Sequence, residues 1–251
     1  MAGRDTNVGA KRARQIREEL GLDPAAPLDC VLTLVESDLG LPVVIAALPA
    51  GVAGCCWRDG ERVVLWVNGT HRPVRQRFTL AHELGHLRCS HDGAIPVETF
   101  VTLGGKTTDS REVQANAFAA ELLAPAAGVA DIVKGREPGL EQVVRIAAMF
   151  GISSIAALYR LNTLGLTGAY EELAAAIANG EHEATWERLS PAATGDAIAA
   201  IDAGDLPRLS PALRDSALAG MVRGSTSARV AAESMGCDAD SLANGAASIG
   251  I

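Results

Sequence analysis

The stretch Thr79 to Asp92, TLAHELGHLRCSHD, constrains this chain more than any other. His82, Glu83 and His86 form an H-E-x-x-H pattern within it. A helix turns about 100° per residue, so side chains four apart come to within about 40° of each other, one turn up. The two imidazoles then share a face and reach a single metal ion. Glu83 stands just beside that face, placed to take a proton from water rather than to bind. This is the residue set of a zinc hydrolase, with two histidine ligands and a glutamate base.

The surroundings strengthen the pattern. Phe78, Leu80, Leu84 and Leu87 make the remaining faces apolar, which predicts a buried helix. Gly85 lies inside it, where a glycine costs about 1 kcal/mol relative to alanine. That cost makes sense if another backbone or a substrate passes close by. A catalytic zinc takes a third protein ligand and leaves one position open. The metzincin spacing would put a Gly and a third His where this chain has Cys89 and Asp92, so that reading is poor, although Asp92 stays open as a ligand. The better candidate lies on the next helix, SREVQANAFAAELLAP, from Ser110 to Pro125. Glu112 and Asn116 share a face there. Glu112 reads either as the third ligand or as a capping-box partner of Asp109. Asn116 is placed to hold an imidazole N–H from behind.

The run RQRFTLAHELGH, followed by E-x-x-A-N-x-F-A-x-x-L-x-x-P from Glu112 to Pro125, resembles the ImmA/IrrE family of zinc metallopeptidases, gluzincin-like HExxH enzymes. Arg77-Phe78-Thr79 and Ala81 to His86 carry the first part, and the resemblance covers roughly Ala10 to Leu166. It implies zinc held by His82, His86 and Glu112, with Glu83 as general base. Members are bacterial or phage-borne and cleave helix-turn-helix repressors, which switches on stress responses or mobile elements.

Composition limits the alternatives. A net charge of −8 argues against broad nucleic-acid affinity, which rests on Lys and Arg neutralising phosphates. No apolar run approaches the roughly 20 residues of a membrane span, and no early hydrophobic run suggests a signal peptide. The five cysteines are irregularly spaced and form no C-x-x-C pair. A cytoplasmic location is expected.

Read in order, Met1 to Thr6 is expected to fray, and Val8 to Leu20 to form a surface helix closed by Gly21. Asp29 caps a helix over Val31 to Leu39. Pro42 to Leu48, Gly51 to Trp57 and Arg62 to Asn68 read as a three-stranded antiparallel meander with turns at Pro49-Ala50-Gly51 and Asp59-Gly60. Arg62 to Asn68 reads as the edge where an extended substrate would pair, or as a strand that merely covers the core. Pro73 opens the metal helix, with Arg75 and Arg77 facing solvent or pairing with acids. His71 and His91 read as surface histidines within reach of the site. Gly93 to Thr108 holds a possible strand, Val97 to Leu103, and is long enough for a lid. Leu140 to Leu164 reads as helix, Gly151 turn, helix with Ser153 as cap, and resembles the helix-turn-helix that follows the peptidase part in this family. Its second helix offers mainly Ala, Leu and Ile, with Arg160 and Asn162 late, so packing is favoured over DNA reading. Beyond Leu166, helices are expected over Glu171 to Ala178, Glu183 to Leu189, Ala193 to Ile201, Ala212 to Val222 and Ala228 to Met235.

The expected fold is α+β: a small three-stranded antiparallel sheet on the HExxH helix of a zincin-like peptidase core, then a helix-turn-helix and a mainly α-helical C-terminal region. The expected divisions are 1–135, 136–166 and 167–251. The expected function is a zinc-dependent endopeptidase of narrow specificity, cleaving a helix-turn-helix repressor or antitoxin-like partner, with no direct DNA binding and no membrane contact. The alternative is a non-enzymatic, zinc-containing regulator that binds DNA or a repressor. An intact Glu83 favours the enzyme, because a structural site needs no base.

Overall fold

A computed structural model describes residues 2–59, 62–90, 109–189, 208–223, 225–235, 239–240 and 243, and in these helices predominate around a small sheet. In chain order the elements are α1 (Ala2–Glu19), α2 (Val31–Thr33) running into a π-helix (Leu34–Asp38), β1 (Val43–Ala46), β2 (Gly54–Asp59), β3 (Arg62–Asn68), α3 (Pro73–Arg88), α4 (Ser110–Leu123), α5 (Ala126–Val133), α6 (Leu140–Phe150), α7 (Ser154–Thr163), α8 (Tyr170–Ala178), α9 (Glu183–Leu189), β4 (Arg208–Leu209), α10 (Pro211–Val222) and α11 (Ala228–Met235).

The N-terminal reading needs two corrections. The helix begins at Ala2, so the segment up to Thr6 is helical rather than frayed. α1 is also more than a surface helix, for one face stays exposed while the other is buried. Ala13, Ile16 and Arg17 are buried because α1 lies along α4. The apolar residues at positions 10, 13 and 16 form the buried stripe that the flanking charges obscure. Over residues 31–38 the expected single helix is one α turn followed by π-helix. Its cap is Cys30 rather than Asp29, with Cys30 Sγ accepting from Thr33 N at 3.4 Å.

The sheet differs most from expectation. Among the described residues it has four strands in the order β2-β3-β1-β4. β2 and β3 form the expected antiparallel hairpin, from Gly54 opposite Val67 to Asp59 opposite Arg62. β1, however, pairs with β3 in parallel, Val43 opposite Leu65. The antiparallel meander is therefore wrong, and Arg62–Asn68 is an interior strand rather than an edge. The cause lies at Asn68, where β3 ends. Its Nδ2 donates to Val52 O at 2.8 Å, its Oδ1 accepts from Leu48 N at 3.4 Å, and its backbone N donates to Ala53 O at 2.8 Å. These bonds pin residues 47–53 across the end of β3 and deliver β2 to the far side. A polar residue buried at a strand end thus chooses the pairing partner, since each of its hydrogen-bonding groups must be satisfied.

β4 closes the other side. Leu209 pairs with Val44, Ser210 N donates to Val43 O at 2.9 Å, and both guanidinium nitrogens of Arg208 bond Glu36 at 2.6 Å. A strand of two residues carries no readable period, so the sequence did not reveal it. The four helices expected in the described parts of the C-terminal region are present to within one residue. Gly60 of the expected turn, the strand expected over Val97 to Leu103, the lid expected over Gly93 to Thr108 and the helix expected over Ala193 to Ile201 lie outside the described residues, as do His91 and Asp92.

One buried apolar cluster runs from Ala13 through Val43, Leu65, Leu84 and Phe118 to Leu158 and Leu161. α6 and α7 belong to it. They meet at 105° across Gly151, whose φ of 62° suits a glycine, and Ser153 caps α7 by accepting from Ala156 N at 3.2 Å. Among the described residues no single helix is long and apolar enough to cross a membrane.

Candidate metal centre

α3 carries the histidines. Pro73 starts it, where its missing N–H would have no partner anyway. Gln76 ties the start to the preceding turn, donating to Gly69 O at 3.1 Å and to His71 O at 2.7 Å. From Gln76 to His86 every residue of α3 is buried, so the site is set in the interior of the molecule. Arg77 corrects the expectation of a solvent-facing arginine. It is only 2% exposed and donates to Leu28 O at 2.7 Å.

α4 packs across α3 at Gly85. A Cβ there would stand 3.1 Å from the Cα and O of Ala115 and from Cβ of Phe118. The close backbone anticipated from this glycine is thus α4. Asp109 caps α4, accepting from Arg111 N at 2.9 Å. Asp109 also pairs with the Arg111 side chain, and these bonds hold its carboxyl below the usual carboxylate range.

Glu112 meanwhile faces the histidines. Its Oε2 lies 3.3 Å from His82 Nε2 and its Oε1 3.4 Å from His86 Nε2. The two Nε2 atoms are 2.9 Å apart, with the rings edge to face. One ligand atom from each of the three residues can be chosen so that all lie within 4.8 Å of one another. Asn116 is one turn further along α4, and its Oδ1 is 3.0 Å from His82 Nδ1. Phe78 walls the same ring, with centroids 6.3 Å apart.

The donor set fits a divalent metal on chemical grounds. Nδ1 of His82 faces a carbonyl oxygen, so the ring proton belongs there and Nε2 presents a lone pair. That lone pair and a carboxylate converge on one point, which suits a cation. Two imidazole nitrogens with a glutamate oxygen is a known ligand set of catalytic zinc sites.

Glu83 is 1% exposed and turned toward β2. A Cβ on Gly54 would lie 3.1 Å from Glu83 Oε1, 2.5 Å from Thr79 Cγ2 and 2.6 Å from Trp66 O. Gly54 therefore lets the sheet come close enough to seat the carboxylate. Sequence reasoning missed it, although a glycine inside a strand run, GVAGCCW, is the usual sign of close backbone approach. Next to it, burial pushes the thiols of Cys55 and Cys56 up to about 11, and the charge of Glu83 adds to the effect. His71 stays outside the cluster, and burial followed by Arg75 lowers its pKa.

Comparison with known proteins points the same way. Residues 37–162, half of the chain, match the peptidase family described as the IrrE N-terminal-like domain. The radiation response metalloprotease IrrE of Deinococcus radiodurans is 33% identical over 110 residues, which is 42% of this chain and 34% of that protein. The radiation response metalloprotease IrrE of Deinococcus deserti is 33% identical over 104 residues, 41% of this chain and 37% of that protein. The matched part thus spans about a third of the length of these relatives. The chain belongs to the IrrE N-terminal-like peptidase family.

Proposed function

We propose that this chain is a zinc-dependent endopeptidase of narrow specificity, acting in the cytoplasm on a helix-turn-helix repressor or an antitoxin-like partner. One observation carries the reading: His82, His86 and Glu112 converge while Glu83, one residue along α3, is buried beside them. His82, His86 and Glu112 would hold the metal. When bound, it supplies Lewis acidity that acidifies water and polarises a carbonyl. Glu83 takes the proton of the attacking water on its carboxylate and passes it to the leaving nitrogen. Burial against β2 keeps that carboxylate from bulk solvent.

Among the described residues the sheet edge beside Glu83 is β2, whose Gly54 lies against the carboxylate. An extended substrate segment would add to β2 by main-chain hydrogen bonds, with the strand order assigning the edge that β3 was expected to supply. Narrow specificity follows if one partner presents such a segment. The radiation response for which the relatives are named supports a stress-linked partner. Direct DNA reading is not part of the proposal: Arg160 of α7 is 6% exposed and committed internally to Ala124 O and Glu121.

The test co-expresses the chain with a genomically adjacent helix-turn-helix repressor and looks for a discrete fragment. Glu83→Gln keeps shape but accepts no proton, so cleavage is expected to fall roughly 100- to 10,000-fold with metal content unchanged. A Gln variant that cuts as fast as the parent chain overturns the mechanism. No cleavage by either, with one tightly held zinc, moves the balance to the non-enzymatic regulator.

A further inference from the structure

We infer that Asn116 is a positioning residue that fixes the tautomer of His82 and thereby sets the metal affinity of the centre. The inference deepens the reading above and rests on it for the identity of the ligands.

α4 grips one imidazole at both of its nitrogens. Glu112 reaches Nε2 of His82 at 3.3 Å, and Asn116 reaches Nδ1 at 3.0 Å. The two are four residues apart, so a single helix face delivers the carboxylate to one edge of the ring and the amide oxygen to the other. A carbonyl oxygen only accepts, so Nδ1 must carry the proton. Nε2 is then left with its lone pair, aimed toward His86 Nε2 and the Glu112 carboxylate. Without an acceptor at that place, a neutral imidazole is free to put its proton on either nitrogen. The proton on Nε2 would block the ligand position.

The surroundings make this control effective. His82 is fully buried, so bulk water does not compete for Nδ1. The reach of Asn116 is set by its neighbour Ala115, whose Cα and O press against Gly85 of α3. Helix contact, carboxylate and amide therefore come into register together. A residue that merely filled space at this position would need bulk, not an oxygen at hydrogen-bond distance.

The experiment compares the full chain with Asn116→Asp, which keeps the acceptor, and Asn116→Leu, which keeps the size without it. Zinc affinity is read by competition with a chromophoric chelator. The tautomer is read on metal-free protein by long-range proton–nitrogen NMR correlations of His82. The expected result is an Nδ1–H ring in the parent and Asp forms, with Asp binding zinc at least as tightly as the parent. The Leu form should lose roughly 10- to 100-fold in affinity, the usual range for an outer partner of a ligand, and show protonated Nε2. A Leu form with parental affinity and an Nδ1–H ring overturns the inference. So does an Asp form that loses as much as Leu, since shape or the amide NH2 would then be what matters. Should Leu not fold, Asn116→Ala takes its place with the same readings. If the parent chain itself binds no zinc, the proposed function fails, while the metal-free spectra still decide the role of Asn116.

Discussion

Two of the helix pairs among the described residues bury polar side chains with opposite chemistry. Between α7 and α4, Arg160 donates to Ala124 O at 2.9 Å and pairs with Glu121, which also meets Arg14 at 3.3 Å. Donor meets acceptor there, and charge meets opposite charge. Burial lowers the Arg160 pKa while Glu121 raises it. Between α3 and α4, a lone pair of His82 and the Glu112 carboxylate face the same point as His86 Nε2. The first arrangement is complete in itself and braces the fold. The second brings two imidazole nitrogens and a carboxylate to one point, the donor set a divalent cation takes. Burial alone does not mark a functional site, but the balance of donors against acceptors does.

That contrast can be broken by mutation, and the largest effect is expected in the brace. Arg160→Ala leaves Glu121 with less compensation in the interior, and breaking a buried pair of this kind costs about 3–5 kcal/mol. Denaturant unfolding of the metal-free protein measures it, and an unchanged midpoint would remove Arg160 from the brace. Next, Glu112→Ala should lower zinc affinity by more than the roughly 100-fold upper range of an outer partner. Stability of the metal-free chain should fall less than for Arg160→Ala, because the Glu112 side chain is 18% exposed and so loses less when its partners change. A drop in metal-free stability matching that of Arg160→Ala would make the two pairs alike and sink the comparison.

Gly54→Ala tests the sheet that seats Glu83. Its Cβ would meet the main-chain oxygen of Trp66 at 2.6 Å, which cannot rotate away. Overpacking of this kind costs about 1–3 kcal/mol, and displacing Glu83 should slow cleavage while zinc affinity holds. Equal stability and equal rate would show that Gly54 does not seat the carboxylate. The smallest effect belongs to the exposed pair of Arg145 with Glu141, 3.2 Å apart on α6. Arg145→Ala should cost only roughly 0.3–0.5 kcal/mol, seen as a slight shift in the unfolding midpoint.

The sequence carried the candidate centre because helices are local. His82 and His86, and equally Glu112 and Asn116, are four apart, so the angle between them follows from the period of one helix whatever packs around it. Gly85 announced a close neighbour for a similarly local reason, since a glycine inside a buried helix needs a cause. Four C-terminal helices and the Gly151 turn were legible from capping residues and apolar spacing. What belongs to the family, half of the chain by length, was legible in the same short runs.

Tertiary structure decided everything that depends on which distant segments meet. Glu112 suited both a helix cap and a metal, and only the placement of α4 against α3 turned it toward the imidazoles. β1 looked like a hairpin partner of β2, yet Asn68 drew residues 47–53 across the end of β3 and made β1 its parallel neighbour. Arg77 has the composition of a surface residue, and becomes a core residue because Leu28 O is there to accept from it. β4 exists only because the edge of β1 offers it hydrogen bonds. Helical periodicity is written within a few residues and can be read there. Strand pairing, close approach and the satisfaction of buried polar groups are agreements between residues far apart in the chain, and no local pattern records them.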